Sequence, residues 1–159
     1  WIVIQQRIDG LQSFNLSWSA YKSGFGSYFK SFWMGLEKMH QLTTSADYRL
    51  RFEVLLNGSW YSDEYDHFKI SSELEKYSLN VSGYSGDKSD VLDNHNGMKF
   101  STPDQDNDVY GSGNCALMFL SGNWYKECYT QNINGPYGKA EFYYVRPLTY
   151  CRMMIKRNV

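Results

Sequence analysis

The amino-acid sequence predicts an α+β fold: an antiparallel sheet, a few short helices and a long loop-rich segment. Residues 49–56 alternate apolar and charged side chains with a period of two, which is typical of a half-buried strand. Helical patterns are few, and each spans only two or three turns. From 83 to 114, 21 of the 32 residues are Gly, Ser, Thr, Asp, Asn or Pro, and no apolar period survives there. That segment is therefore predicted as loop, and a loop this long is expected to be held by a metal or a disulfide in place of a core.

Strand patterns recur along the chain. In 49–56 the apolar positions are Leu50, Phe52, Val54 and Leu56, and the charged ones are Arg49, Arg51 and Glu53. Shorter versions of the pattern occur at 2–6, 65–70, 77–81 and 152–156. An antiparallel sheet is the simplest structure that collects such strands.

Two short helices are predicted between these strands. Asn15 or Ser17 is a suitable N-cap for a helix that continues through Tyr21. The second helix spans 35–42, where three apolar residues lie near one face: Leu36, Met39 and Leu42. Neither helix is long enough to build a bundle.

Composition excludes several classes of function. The 159 residues, 42% hydrophobic and 21% charged, are ordinary for one globular domain. Sixteen Lys and Arg against 17 Asp and Glu give a net charge of −1 with no basic block, so nucleic-acid binding has no electrostatic basis. No run approaches the ~20 apolar residues that span a bilayer, and residues 1–7 lack a signal-peptide pattern. An aromatic content of 18% favours ligand recognition.

An acidic repeat lies inside the loop-rich segment. Asp104, Asp106 and Asp108 alternate with amide residues, and their mutual repulsion disfavours a folded loop unless a cation binds. The spacing does not match an EF-hand, because Val109 and Cys115 stand where that loop has its Gly and Glu. The alternative interpretation is a solvated acidic turn.

The cysteines and the N-glycosylation sequons give information about the cellular compartment. Cys115 and Cys128 enclose 12 residues; a disulfide is favoured over two reduced thiols, and no further Cys or His stands at zinc-ligand spacing. Cys151 lies in the last strand pattern and is predicted to pack as a small apolar residue. Three Asn-x-Ser sequons favour secretion weakly: Asn15-Leu-Ser17, Asn57-Gly-Ser59 and Asn80-Val-Ser82.

No catalytic motif is present. His40, His67 and His95 are scattered, with no metalloprotease, nucleophile-elbow or Cys–His signature beside them. The chain is therefore predicted not to be an enzyme.

Several segments distributed along most of the chain are specific to one family. They include Trp1-Ile-Val-Ile-Gln-Gln-Arg-Ile-Asp-Gly10, Phe32-Trp-Met-Gly-Leu-Glu37, His95-Asn-Gly97, Phe100-Ser-Thr-Pro-Asp-Gln-Asp-Asn-Asp108, Asn114-Cys-Ala116 and Asn132-Ile-Asn-Gly135. Through them the chain resembles the fibrinogen C-terminal-like domain of ficolins, tachylectins, angiopoietins, tenascins and invertebrate fibrinogen-related proteins.

The resemblance implies a twisted antiparallel sheet with short helices plus a loop-rich subdomain that binds calcium and ligand. On this resemblance, residues 1–159 are expected to form one such domain without the family's N-terminal subdomain. The sheet subdomain comprises 1–85 and 146–159, and the loop-rich binding subdomain comprises 86–145. Absence of the N-terminal part is expected to leave a sheet edge exposed.

The resemblance also implies a calcium site. Its ligands are the carboxylates of Asp106 and Asp108 and the backbone carbonyls of Tyr110 and Ser112. Calcium then acts as a scaffold and not as a catalyst. The spacer before Asn114 is one residue longer than usual in the family, which affects the two carbonyl assignments.

In the ficolin and tachylectin branch, acetylated sugars bind beside the disulfide, here between Cys115 and Cys128. The resemblance implies a cis peptide between Glu127 and Cys128, with the N–H groups of Cys128 and Tyr129 facing the acetyl oxygen. Phe119 holds the methyl group, and Tyr143, or alternatively Tyr144, supplies a further aromatic wall. This chain departs from the lectins in two respects: Tyr129 stands where they commonly have His, and the loop after residue 135 is shorter.

The resulting expectation is a secreted, calcium-dependent lectin of innate immunity that binds acetylated glycans on microbial surfaces. Weak single sites would gain avidity from oligomers formed through regions outside this chain. The alternative is an interaction module that binds a peptide or receptor, as in fibrinogen and angiopoietin relatives. N-acetylglucosamine or acetate would compete for the site of a lectin but not for that of a receptor-binding module.

Overall fold

The computed structural model describes residues 1–159 and contains one seven-stranded sheet in the order β2-β3-β1-β7-β4-β5-β6. The strands are β1 (Ile2–Arg7), β2 (Phe25–Gly26), β3 (Phe32–Trp33), β4 (Tyr48–Leu56), β5 (Ser59–Ile70), β6 (Leu79–Gly86) and β7 (Leu148–Arg157). The α-helices are α1 (Trp18–Ser23), α2 (Leu36–Ser45) and α3 (Cys115–Phe119). Every pair of neighbouring strands is antiparallel. The predicted α+β class is confirmed.

The middle of the sheet explains how the chain is assembled. β4 alternates buried and half-buried side chains along its whole length, as the period-two pattern predicts. It pairs with β5 on one side and with β7 on the other. β7 follows the long loop-rich region, residues 87–147, and inserts between β1 and β4. The loop-rich region therefore begins and ends on the sheet.

The cap of α1 is one of the two predicted residues, whereas one buried residue of α2 differs from the prediction. Ser17, and not Asn15, caps α1, because its hydroxyl accepts the Ala20 N–H at 3.3 Å. In α2, Leu36 and Met39 are buried as predicted, but the third buried residue is Thr43. Thr43 is accommodated because its hydroxyl donates to the Met39 carbonyl at 2.9 Å.

Buried hydrocarbon reaches into the loop-rich region. A single cluster of 29 buried residues includes Phe100, Trp124, Ile133 and Phe142 together with the sheet residues. Phe100 is fully buried, and its ring centroid lies 5.1 Å from that of Trp124. The expectation that a metal and a disulfide hold this region in place of a core is therefore wrong. Its aromatic residues were too widely spaced to give a periodic pattern.

Candidate functional site

The disulfide organises one wall of a pocket. Cys115 and Cys128 are bonded, with their Cα atoms 5.3 Å apart, so the predicted pairing is confirmed. Cys115 begins α3, where the Asn114 side chain accepts the Leu117 N–H at 2.8 Å. This short helix brings the Phe119 ring edge-on to Tyr129, with centroids 4.8 Å apart.

The pocket is a cavity of about 260 Å³ beside this aromatic pair. We call it the ligand pocket. Its lining residues are Met118, Phe119, Leu120, Tyr129, Asn132, Pro136, Lys139, Glu141 and Arg146. It combines an apolar side with charges of both signs, a composition suited to binding small ligands or peptide side chains.

Electrostatics in the ligand pocket centre on Glu141. Its side chain is only 10% exposed and contacts Arg146 Nη2 at 3.2 Å, whereas the Arg146 side chain is 58% exposed. Burial raises the pKa of the Tyr129 phenol, and the nearby Glu141 carboxylate raises it further. Tyr129 therefore presents a neutral hydroxyl, and Glu141 presents a largely desolvated acceptor.

His95 positions the segment that carries Tyr129. Its Nδ1 lies 2.8 Å from the Trp124 carbonyl, which makes Nδ1–H the donor and leaves Nε2 as an acceptor. Nε2 accepts the N–H groups of Thr130 at 3.0 Å and Gln131 at 3.3 Å. Burial lowers the pKa of His95 to about 4, so the ring is neutral at pH 7. Sequence reasoning missed this role, because all the partners lie 29 or more positions away.

Buried amides lie next to one another in the chain around Asn132, a lining residue of the ligand pocket. The side chains of Asn123 and Gln131 form a pair in which Gln131 Nε2 donates to Asn123 Oδ1 at 3.0 Å. The Ser121 hydroxyl donates to Asn132 Oδ1 at 2.9 Å. Asn134 donates to the Gly122 carbonyl at 3.0 Å. A network with satisfied partners holds one rigid arrangement.

The expected cis peptide between Glu127 and Cys128 is wrong. The only cis peptide in the chain joins Arg146 to Pro147. At Cys128 the chain instead reverses through a positive φ of 75°, and the Lys126 N–H donates to the Cys128 carbonyl at 3.1 Å. A trans peptide is the lower-energy form before a residue other than proline. The N–H groups of Cys128 and Tyr129 donate no hydrogen bond within the chain.

Three predicted residues do not line the ligand pocket: Glu127, Cys128 and Tyr143. The Tyr143 hydroxyl donates to the buried Asp63, and its ring packs against Phe142 with centroids 4.6 Å apart. Glu127 is exposed and does not line the cavity. Tyr144 does not line the cavity either, and its hydroxyl lies 3.3 Å from Thr130 Oγ1.

The acidic repeat forms a tight turn before α3. Asp108 Oδ1 accepts the Tyr110 N–H at 2.8 Å, and its Oδ2 accepts the Cys115 N–H at 2.9 Å. Asp106 Oδ1 accepts the Asp108 N–H at 3.2 Å. Burial raises the pKa of Asp108, and the adjacent Asp106 carboxylate contributes to the rise. Asp104 has a different role, because its Oδ1 accepts the Trp18 N–H at 2.8 Å.

This turn offers oxygen atoms only. It has two carboxylates and no third acidic, His or Cys side chain close enough to make a metal-binding cluster. Neither Asp106 nor Asp108 forms a salt bridge with Lys or Arg. An acidic pair without a cationic partner fits a hard cation that takes further oxygens from carbonyls and water.

The sheet, the disulfide and the pocket beside it define a fibrinogen-like ligand-binding domain. The chain belongs to the family described as fibrinogen beta and gamma chains, C-terminal globular domain, whose model matches residues 1–151.

Two relatives with known names support the assignment to this family. Fibroleukin of Bos taurus is 41% identical over 152 residues, covering 92% of this chain and 34% of the relative. Tenascin-N of Homo sapiens is 45% identical over 144 residues, covering 89% of this chain and 11% of the relative. The chain thus spans about a third or less of the length of these relatives.

Two solved structures superpose closely on this chain. The fibrinogen-like globe domain of human ANGPTL2 has a TM-score of 0.94 and 34% identity, covering 99% of this chain and 80% of that one. Lamprey fibrin D-dimer, complexed with the peptide ligand Gly-His-Arg-Pro-amide, has a TM-score of 0.89 and 31% identity. The match covers 96% of this chain and 60% of that one.

Proposed function

We propose that this chain is a non-enzymatic extracellular recognition domain that binds a peptide segment of a protein partner in the ligand pocket. The observation that carries this proposal is the Glu141 carboxylate, desolvated and facing an aromatic wall within one small cavity. Such a carboxylate is a strong acceptor for a cationic group.

A bound peptide can contact each part of the ligand pocket. An amine or guanidinium pairs with Glu141 when Arg146, the more exposed partner, swings away. A peptide carbonyl accepts from the N–H groups of Cys128 and Tyr129, which have no partner within the chain. The edge-on pair of Phe119 and Tyr129 packs against an apolar side chain. The peptide complex of lamprey fibrin supports the same class of ligand.

An acetylated glycan on a microbial surface is the second candidate ligand. The same two N–H donors beside an aromatic wall suit an acetyl group, whose oxygen accepts and whose methyl packs. A neutral acetamide leaves Glu141 without a cationic partner, however. That difference makes Glu141 the residue that distinguishes the two ligands.

Glu141→Gln is expected to weaken binding of the peptide Gly-His-Arg-Pro-amide. Loss of a charge-assisted hydrogen bond corresponds to about 1.5–3 kcal/mol, or about 10- to 150-fold in Kd. Isothermal titration of both proteins with the peptide, followed by competition with N-acetylglucosamine, measures this. Glu127→Gln, an exposed acid outside the cavity, is the matched control and should bind as wild type does. Equal peptide affinity in the Glu141 variant, or displacement by the sugar, contradicts the peptide proposal.

Secretion is part of the proposal. A disulfide between Cys115 and Cys128 forms and persists in an oxidising compartment. None of the helices has the length and apolar character needed to cross a membrane.

Calcium is proposed to stabilise the acidic turn through Asp106 and Asp108, with the Tyr110 and Ser112 carbonyls as further ligands. Saturating Ca²⁺ at 100 times its Kd would add about 2.7 kcal/mol to the unfolding free energy and raise Tm by about 5–10 °C. Asp106→Asn should abolish that rise, because it removes one charge while its amide oxygen can still accept the Asp108 N–H.

Differential scanning calorimetry with Ca²⁺ or EDTA checks the calcium proposal. Asp93→Asn, an exposed acid outside the turn, controls for general charge effects and should keep the calcium response. An identical Tm of the wild type in Ca²⁺ and in EDTA would rule out the site.

A further inference from the structure

The outer edge of the sheet is covered along only part of its length. β6 is the last strand on its side. At its start the Leu79 N–H donates to the Met98 carbonyl at 3.0 Å. The Asn96 amide then imitates a neighbouring strand, accepting from Val81 N–H at 3.0 Å and donating to Val81 O at 3.1 Å. These contacts satisfy the outward backbone groups of the first part of β6.

The rest of the β6 edge is open. Outside the ladder with β5, no backbone hydrogen bond reaches Gly83 or Ser85. Unpaired backbone groups on an edge strand are a template for pairing with the edge of another molecule. The opposite edge of the sheet, β2, has only two residues and offers far less backbone for pairing.

One of the three sequons lies on this strand. In Asn80-Val81-Ser82, Val81 is buried, while Asn80 and Ser82 are exposed. Neither the Asn80 amide nor the Ser82 hydroxyl makes a hydrogen bond within the chain. Both groups that define the sequon are thus free, and Asn80 is exposed on β6, three residues before Gly83, where the open part of the edge begins.

The other two sequons are placed differently. At Asn15 the sequon hydroxyl is that of Ser17, which caps α1. Asn57 lies in the turn between β4 and β5 at a positive φ of 48°. Neither lies on the strand that forms the open edge.

We propose that Asn80 carries an N-linked glycan that shields the open part of β6 from pairing with another chain. Asn80 Nδ2 forms a bond with the anomeric carbon of an oligosaccharide donated by a lipid pyrophosphate. The carbon–oxygen bond to that pyrophosphate breaks, the leaving group takes the electron pair, and the amide nitrogen loses one proton. The attached glycan is bulky, hydrated and confined to the surface.

The glycan rests on the proposed secretion but needs no ligand in the pocket. The chain is therefore expressed in mammalian cells behind a cleavable signal peptide, which delivers it to the glycosylation machinery in any case. Peptide binding is measured separately, so failure of the glycan site and failure of the ligand proposal remain distinguishable.

Ser82→Ala and Ser82→Thr form the matched pair for occupancy, since Ala destroys the sequon and Thr preserves it. We expect peptide-N-glycosidase F to convert Asn80 to Asp in the wild type and in Ser82→Thr, as read by peptide mass spectrometry. Ser82→Ala should run at a lower mass by one glycan. An unmodified Asn80 in the secreted wild type would overturn the proposed site.

Size-exclusion chromatography with light scattering tests the shielding. Ser82→Ala should form dimers or larger species at concentrations where the wild type and Ser82→Thr stay monomeric. Ser59→Ala removes the sequon in the β4–β5 turn and should stay monomeric as the wild type does. Its molar mass should differ only by any glycan lost at that turn. If Ser82→Ala stays monomeric as the wild type does, the glycan has no shielding role.

Discussion

Lowering the pH from 6.5 to 4 is expected to cost the domain about 3 kcal/mol of unfolding free energy through His95 alone. Its pKa is lowered to about 4 in the folded chain from an ordinary value of 6.5, and the lowering is caused by burial. Between these two values the unfolded chain binds a proton that the folded chain does not. Stability is therefore complete above pH 6.5 and falls by about 1.4 kcal/mol for each pH unit below it.

Acidification should also reduce ligand binding. Protonation would place an N–H donor at Nε2, where the Thr130 and Gln131 N–H groups now donate. Three donors cannot share one site, so the backbone beside Tyr129 would separate from His95. Loss of binding should therefore accompany or precede global unfolding.

Urea denaturation at half-unit steps from pH 7.5 to 4.5 measures this slope. Carboxylates with a lowered pKa, such as Glu53 and Glu73, lose their contribution only below about pH 4.5, outside this window. His95→Gln should be less stable than the wild type at pH 7 and should lose the fall in stability on acidification, because burial raises the pKa of Asp63 and of Asp108 and their protonation favours the folded chain as the pH falls. The control His67→Gln changes an exposed histidine and keeps the steep fall, because His95 is intact. A wild-type profile parallel to that of His95→Gln would contradict the assignment.

The sheet was more predictable from the sequence than the ligand pocket. A strand such as β4 buries one face, so its side chains must alternate, and the period is visible in eight consecutive residues. Phe100 and Trp124 also lie in the core, but no period marks them, since loops carry them there. β2 and β3 have two residues each, too few to show a pattern.

Some residues of the ligand pocket could be predicted from the sequence, and others could not. Phe119 and Tyr129 could be assigned because the family resemblance places them beside the two cysteines. Glu141 and Arg146 lie beyond the point where the loop after residue 135 departs from the family pattern. Only the folded chain shows that they meet.

Loss of the disulfide is expected to have an effect of similar size on stability and a larger one on binding. The Cys115→Ala/Cys128→Ala variant should lose about 3 kcal/mol, since the bond closes a short loop in the unfolded chain. For a chain of this size, that loss lowers Tm by about 6–12 °C. The fold should persist, because Phe100 and Trp124 belong to the main core and do not depend on the disulfide.

Binding should be lost while the core survives, for a geometric reason. Phe119 and Tyr129 face each other only because the disulfide joins α3 to residue 128. Thermal melts with and without dithiothreitol check the stability effect, and titration with Gly-His-Arg-Pro-amide checks the binding effect. Cys151→Ala is the control, since Cys151 is buried in the sheet and forms no disulfide, and this variant should keep both the reductant sensitivity and the binding. A wild-type protein whose Tm and peptide affinity are unchanged after full reduction, verified by alkylation of both thiols, would show that the pocket stands without the bond.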